Sequence, residues 1–329
     1  MTKSAKPFEP MLAGTPKADT DIRFPVLASP KLDGVRGVCK DGALLSRSLK
    51  KIPNKWVQAL MSMPELTGLD GELTVGPANA PNVMQATTSI VMSSSKPEQF
   101  QFHVFDKWDA MPYSFEERLE RAGDLVERAK ATWLSLAVAL RLEGAPAWIM
   151  DCPLVMVQHE LIEDMAALNA YEAKQLALGY EGIMVRNPAG DYKHGRSTVK
   201  EGGLLKLKRF TDGEAIIVGF EEEMENLNEK TVNEKGRSKR SSHAENKRGK
   251  GTLGAFVCAL VPPLGKSLSS TAPTFNIGTG MDHALRAHVW ANRDKFMNQI
   301  VKFKHFDHGA VDAPRHPVFL GFRSPLDMS

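Results

Sequence analysis

No stretch of this chain is apolar for the ~18 residues that a membrane span requires, so a membrane protein of the helical kind is not expected. The first fourteen residues, MTKSAKPFEPMLAG, lack the apolar core of a secretory signal. Cysteine is scarce. Cys39, Cys152 and Cys258 are widely spaced and odd in number, which excludes a disulfide framework and a CxxC zinc site. A reduced, cytoplasmic location is expected, the host cytoplasm if the source is viral. Charge of one sign is also lacking overall: the net value is +3, too small to establish a nucleic-acid partner. There is no internal repeat.

With 329 residues, 42% apolar and 25% charged, the chain is long enough for about two domains with real cores. Residues 1–24 are polar and proline-containing, and read as an extended lead-in. From 25 to 110 the apolar runs are short and broken by Gly, Pro and Asn, the pattern of strands and turns. Ser114 and Glu117 form an S-x-x-E capping box, predicting a helix from about 115 to about 142. A second helix is expected over 161–178, stopped by Gly179. Strands are expected at 182–186 and 203–209.

AIIVGF (215–220), GAFVCAL (254–260) and IVKFKHF (300–306) are strand-like. A helix near 283–297 begins at a plausible N-cap, Asp282. Five strands with one intervening helix fit a small closed barrel. The expected fold is α+β, with one domain over 1–210, a second over 211–329, and a boundary near Phe210–Gly213. Between them in character is 226–250, NLNEKTVNEKGRSKRSSHAENKRGK, with eight Lys/Arg against three Glu. It has no apolar cluster to bury and reads as a flexible basic loop, either a solvated linker or a grip on phosphates.

Five short motifs stand in order over about 180 residues: KLDGVR (31–36), LDGEL (69–73), HVFDKW (103–108), EGIMVR (181–186) and LLKLK (204–208). Together they supply an amine nucleophile, carboxylates, an aromatic face and cations for phosphate. Lys31 must attack as a neutral amine, and nearby cations with partial desolvation make that form accessible. Gly34 allows a tight turn or a close backbone approach. Arg36 is placed to reach a ribose or phosphate, while Asp33 serves either to orient the lysine or to cap a turn. In LLKLK the strand period puts Lys206 and Lys208 on one face. They are either phosphate ligands or the solvated face of an edge strand. Glu72 and Glu181 are hard oxygen donors suited to magnesium, unless they simply face solvent. Phe105 is either core or a stacking surface for a base.

In combination these motifs resemble the covalent nucleotidyltransferases: ATP-dependent DNA ligases, RNA ligases and mRNA capping enzymes. Within that superfamily the chain looks like a compact, bacteriophage-type ATP-dependent DNA ligase. GKGTLGAFVCAL (250–261), FNIGTG (275–280), NRDKFMNQIVKFKHF (292–306) and RHPVFLGFR (315–323) resemble the second domain of such enzymes. The resemblance implies an adenylation domain followed by an OB-fold, and a monomer acting on nicked double-stranded DNA.

It also implies roles. Lys31 would form the lysyl–AMP bond from ATP. Arg36 and Arg47 would contact ribose and phosphate, and Glu72 ribose or metal. Phe105 would stack on adenine, and Glu181 would bind magnesium, or manganese in its place. Lys206 and Lys208 would flank the α-phosphate. Arg323 would orient the pyrophosphate leaving group as the domains close over ATP. Many relatives carry Glu two residues before the lysine. Here Ser29 stands there, leaving the base to backbone groups at Ser29 and Leu32. Lys239, Arg240, Lys247 and Arg248 of the basic segment are the expected DNA contacts. An RNA ligase or capping-type enzyme is the alternative; label from ATP or from GTP would separate the two.

Overall fold

The computed structural model describes residues 8–208, 210–234, 238–262, 268–269, 271–306 and 313–323. Their contacts divide the chain into two compact units, Met1–Lys208 and Arg209–Ser329. In the first unit the strands are β1 (Val26–Pro30), β2 (Val35–Lys40), β3 (Ala43–Leu45), β4 (Leu69–Thr74), β5 (Gln101–Lys107), β6 (Leu154–Met156), β7 (Glu160–Ile162), β8 (Ile183–Arg186) and β9 (Leu204–Leu207). Its helices are α1 (Lys55–Met61), α2 (Val83–Val91), α3 (Phe115–Leu142) and α4 (Met165–Ala177).

These strands build two sheets. One has the order β7-β1-β8-β9 and is antiparallel throughout; the other has the order β3-β2-β4-β5-β6, with only β5 and β6 parallel. Phe102, Val104, Leu69 and Leu73 of the second sheet are sealed from water under Val126 and Trp133 of α3. The first sheet has its own core, in which Ala28, Ile183 and Val185 meet Leu168 and Tyr171 of α4. Each sheet is therefore apolar on one side and can spend its other side on chemistry.

The helix ends follow local chemistry. Ser114 Oγ accepts the Glu117 N–H at 3.3 Å, and the Glu117 carboxylate accepts the Ser114 N–H at 2.8 Å, so the capping box starts α3 as its spacing requires. The helix expected over 161–178 is shorter. Asp164 caps it through the Ala167 N–H at 2.8 Å, and residues 160–162 instead pair with β1 as β7. Gly179, at φ +91°, closes the C-terminal end.

The expected lead-in is only partly free chain. Leu12 bridges Arg196, and Gly14 bridges Leu205 beside β9. Gly14 donates to Leu204 O at 2.9 Å, and its carbonyl accepts the Lys206 N–H at 3.0 Å. An edge strand lacks ladder partners on one side, and the passing chain supplies them. Residues 1–7 lie outside the described residues.

The second unit contains β10 (Thr211–Asn226), β11 (Lys230–Val232), β12 (Ser238–Arg240), β13 (Lys247–Leu260), β14 (Thr274–Ile277), α5 (His283–Ala291), α6 (Arg293–Phe296), β15 (Ile300–Phe306) and β16 (Arg315–Phe322). Five of these strands form one antiparallel sheet, β14-β13-β10-β15-β16. A bridge from Thr279 to Val318 joins its two ends, with Phe319 N donating to Thr279 O at 2.9 Å. The sheet thereby curls into a small barrel around Phe256, Ile277, Val301 and Phe303. Asp282 caps α5 through the Leu285 N–H at 2.8 Å. The single helix expected over 283–297 breaks at Asn292 into α5 and α6, because Asn292 leaves helical geometry at φ −124°.

The segment 226–250 departs from the expected flexible loop. β11 and β12 pair as a hairpin, and Lys247 and Arg248 already belong to β13, opposite Asn226 and Glu225. Asparagines hold it in place of an apolar core. Asn226 Nδ2 donates to Ser241 O at 2.7 Å, and buried Asn228 donates to Ser241 O and His243 O at 3.0 and 2.9 Å. A reading that counts apolar residues misses polar cross-links of this kind. Lys235 and Arg237 of the segment lie outside the described residues.

Candidate active site

The motifs converge because two backbone contacts tolerate only glycine. A Cβ on Gly34 would lie 2.1 Å from Leu73 O, and one on Gly182, already at φ +146°, would lie 2.3 Å from Leu207 O. Each glycine lets its strand end press against a neighbouring strand. Lys31, just past β1, donates its N–H to Gly182 O at 2.9 Å. That bond sets KLDG of one motif beside EG of another.

A cavity of about 510 Å³ opens there, a volume in the range of nucleotide-sized ligands. Eight of the expected catalytic and nucleotide-binding residues line it: Ser29, Lys31, Leu32, Arg36, Arg47, Glu72, Phe105 and Lys206. Its charged lining comprises six cations and one carboxylate: Lys31, Arg36, Arg47, Arg186, Arg196 and Lys206 against Glu72. Such an excess of positive charge in a partly enclosed space calls for a polyanion. Lys206 shows the strain: burial, then Lys31 and Arg196, press its pKa below the ordinary lysine value.

Glu181 and Lys208 complete the lysine's surroundings. One Glu181 oxygen pairs with Lys31 Nζ and the other with Lys208 Nζ. Burial would raise the Glu181 pKa, but Lys31 and Lys208 outweigh it and hold the carboxyl down at about 2. Glu181 is therefore ionised throughout the neutral range. Glu72 behaves oppositely. Burial pushes it up to about 7, although Arg36, Lys31 and the Gly34 N–H, donated at 3.2 Å, favour its charge. Among the described residues, no group of three or more His, Cys, Asp or Glu could hold a metal ion by itself.

Two buried aspartates missed in the sequence anchor the guanidinium groups. Asp70 binds Arg36 through both oxygens, at 2.5 and 2.6 Å, and accepts the Tyr192 hydroxyl at 2.7 Å. Asp106 accepts Arg118 at 2.8 Å and Arg186 at 2.6 Å. Arg36 and Arg186 then stand 4.7 and 5.7 Å from the Phe105 ring centroid. Asp70 and Asp106 sit within LDGEL and HVFDKW. A carboxylate inside an otherwise apolar strand was the available signal, since such a group is buried only with partners.

Arg186, Arg196, Met184 and His159 were also not singled out, yet all line the cavity. Arg323 belongs to the second unit, at the end of β16, where its guanidinium pairs with Glu214 and its N–H donates to Ile300 O at 2.8 Å. Of the expected DNA contacts, Lys239, Lys247 and Arg248 are exposed. Arg240 instead donates to Asn228 O within the hairpin.

A family model described as a DNA ligase OB-like domain matches residues 246–323. Among solved structures, the DNA ligase-adenylate of Chlorella virus is 30% identical, with 96% of this chain and 99% of that chain covered and a TM-score of 0.50. A second structure of that ligase-adenylate gives 30% identity over 97% of this chain and 99% of that one, with a TM-score of 0.51. A Lig E DNA ligase is 22% identical, covering 96% and 99%, with a TM-score of 0.64; this supports the fold. A comparison with curated proteins finds no match.

Proposed function

The chain belongs to the ATP-dependent DNA ligases, and we propose that it seals nicks in duplex DNA through a covalent adenylate on Lys31. Identity of 30% over nearly the whole length of a DNA ligase favours this over an RNA ligase or a capping-type enzyme. The observation that carries the site assignment is the cavity itself, in which six cations, the motif lysine among them, face one carboxylate.

Lys31 Nζ attacks the α-phosphorus of ATP, and pyrophosphate leaves with the electron pair of the α–β bridge. AMP then passes to the 5′-phosphate at a nick, and the 3′-hydroxyl displaces it. Lys206, Arg47 and Arg196 balance the negative charge that moves onto phosphate oxygens, and Lys208 does so from beside Glu181. Arg36, locked by Asp70, offers a fixed donor to ribose or phosphate. Phe105 presents its ring to the base. Ser29 and Leu32 contribute backbone groups, and Arg323 acts on the leaving pyrophosphate.

Magnesium, or manganese in its place, fits this donor set, because such an ion keeps waters and phosphate oxygens and needs only one or two protein carboxylates. Glu181 and Glu72 would hold it. When bound it supplies positive charge against the phosphates. The two Glu181 oxygens already carry ammonium partners, so Lys31 and Lys208 keep this carboxylate charged and positioned beforehand. Cys39, Cys152 and Cys258 are all free, which fits a reducing compartment.

The test is incubation with α-labelled ATP, then with nicked duplex. Wild type is expected to carry an acid-labile label and to lose it on sealing the nick. Lys31→Ala and Lys31→Arg are expected to take up none, since a guanidinium stays protonated. Label retained by either variant would remove Lys31 from the mechanism.

A further inference from the structure

The sheet β7-β1-β8-β9 turns one face to the cavity, and its register orders that face. Ser29 pairs with Met184, and Met184 pairs with Lys206. On the other side of β1, Ala28 pairs with Glu160, so the next step along the ladder sets His159 beside Ser29. Directly paired residues share a face. Ser29, Met184 and Lys206 thus form one rung across three strands, the register extends it toward His159, one residue before β7, and all four line the cavity. The ends of the rung so extended lie roughly 14 Å apart, three strand spacings. Lys206 marks the phosphate end. At the opposite end stands His159, beside Val157; Met184 and Phe105 also line the cavity and give it apolar and aromatic surface fit for a flat base.

The imidazole is set in one form. Its Nδ1 lies 3.0 Å from Val157 O, and since a carbonyl can only accept, Nδ1 carries the hydrogen. Burial, then the charge of Arg186, lowers the His159 pKa to about 4, so the ring is neutral at physiological pH. The remaining nitrogen, Nε2, is a bare acceptor and takes part in no hydrogen bond among the described residues. The ring is also steadied by Phe115, edge-on at 5.3 Å between centroids.

We propose that His159 determines nucleobase specificity: its Nε2 accepts a hydrogen from the exocyclic 6-amino group of adenine and disfavours the 6-oxo group of guanine, which offers only lone pairs there. The assignment rests on the reading of the cavity as the site of ATP attack by Lys31. It adds a side chain to a base otherwise read by Ser29 and Leu32 backbone groups. Specificity for a 6-aminopurine then follows from tautomer: the Val157 carbonyl fixes the donor side, which leaves the acceptor side for the ligand.

The experiment measures kcat/KM for lysyl–nucleotide formation by the full chain with ATP and with purine riboside triphosphate, which lacks only the 6-amino group. Wild type is expected to favour ATP by about tenfold or more, the value of one buried hydrogen bond. His159→Leu is expected to lose that preference by slowing ATP while leaving the purine analogue nearly unchanged. His159→Gln, which restores an acceptor oxygen, is expected to recover part of it. Equal use of both nucleotides by wild type, or an equal loss on both in His159→Leu, overturns the role of His159 while adenylation by Lys31 stands. No adduct from any triphosphate in wild type would instead overturn the reading of the cavity, and the inference with it.

Discussion

The two units use the same cationic residue types in different ways. In the first, Arg36 and Arg186 are backed by aspartates with no exposure to solvent, and Arg186 itself is only 4% exposed. In the second, Arg248 meets Glu225 at 3.8 Å with its side chain 77% exposed. A buried guanidinium held by two carboxylate oxygens has one position and a weakly screened field. An exposed one samples many positions, and salt screens it. The first arrangement suits chemistry at a defined phosphorus. The second suits a repetitive phosphate backbone, where no single position matters.

If burial makes this difference, removing a backing aspartate should cost most. Asp106→Asn leaves Arg118 and Arg186 buried with their charge uncompensated. We expect a loss of roughly 3–5 kcal/mol in stability, measured by urea unfolding, and adenylation reduced by two orders of magnitude or more. A variant as stable and active as wild type would show that these arginines are not held by Asp106.

Arg323→Ala is the next largest effect. It is expected to slow lysyl–AMP formation by tens to hundreds, corresponding to about 2–4 kcal/mol for one lost contact to a developing phosphate charge, while still sealing a pre-adenylated nick. Running both half-reactions on the variant decides it: equal losses, or a loss confined to sealing, would take Arg323 away from the leaving group.

Glu72 should produce a smaller, pH-dependent effect. Its pKa is raised to about 7, so at pH 6 it is mostly protonated, holds a cation poorly and accepts a ribose hydrogen without the help of charge. Adenylation is expected to rise about tenfold between pH 6 and 8, and Glu72→Gln should flatten the step near pH 7. The linked stability runs the other way. A raised carboxyl pKa stabilises the fold fully below the unfolded value near 4.5, and that contribution fades as pH climbs through 7. Glu181, held at about 2, contributes above 4.5 and loses its contribution as pH falls through 2. An adenylation profile unchanged by Glu72→Gln would separate Glu72 from the nucleotide.

The exposed cations should give the smallest single effects. Replacing Lys239, Lys247 and Arg248 together by Gln is expected to weaken nicked-DNA binding several-fold and to lower the slope of log K against log salt by up to about three. Self-adenylation should barely change. An unchanged salt slope would mean that these three side chains do not meet DNA. Arg240 is set apart, because its bond to Asn228 O makes its loss a structural change.

The caps at Ser114 and Asp282 were legible because capping is local, fixed by three residues and one turn. The five-stranded barrel was legible from apolar runs of strand length. The pairing of residues 12–14 with the edge of β9 was not, since it depends on backbone groups left open by a strand nearly 200 residues away. Nor was the hairpin of 226–250, whose staples are asparagine amides.

By itself the sequence named the candidates for the reacting groups. Lys31, Glu72, Phe105, Glu181 and Lys206 could be named from their motifs and from the family resemblance those motifs carry. Only the tertiary structure decided their charge states and their fixed positions. Glu72 and Glu181 are the same residue beside glycine in sequence, yet one is pushed up to about 7 and the other down to about 2. The first is desolvated with too little compensation, and the second is desolvated between two ammonium groups. That difference lies in which distant strands, β2 for Glu72 and the ends of β1 and β9 for Glu181, are folded against each carboxylate.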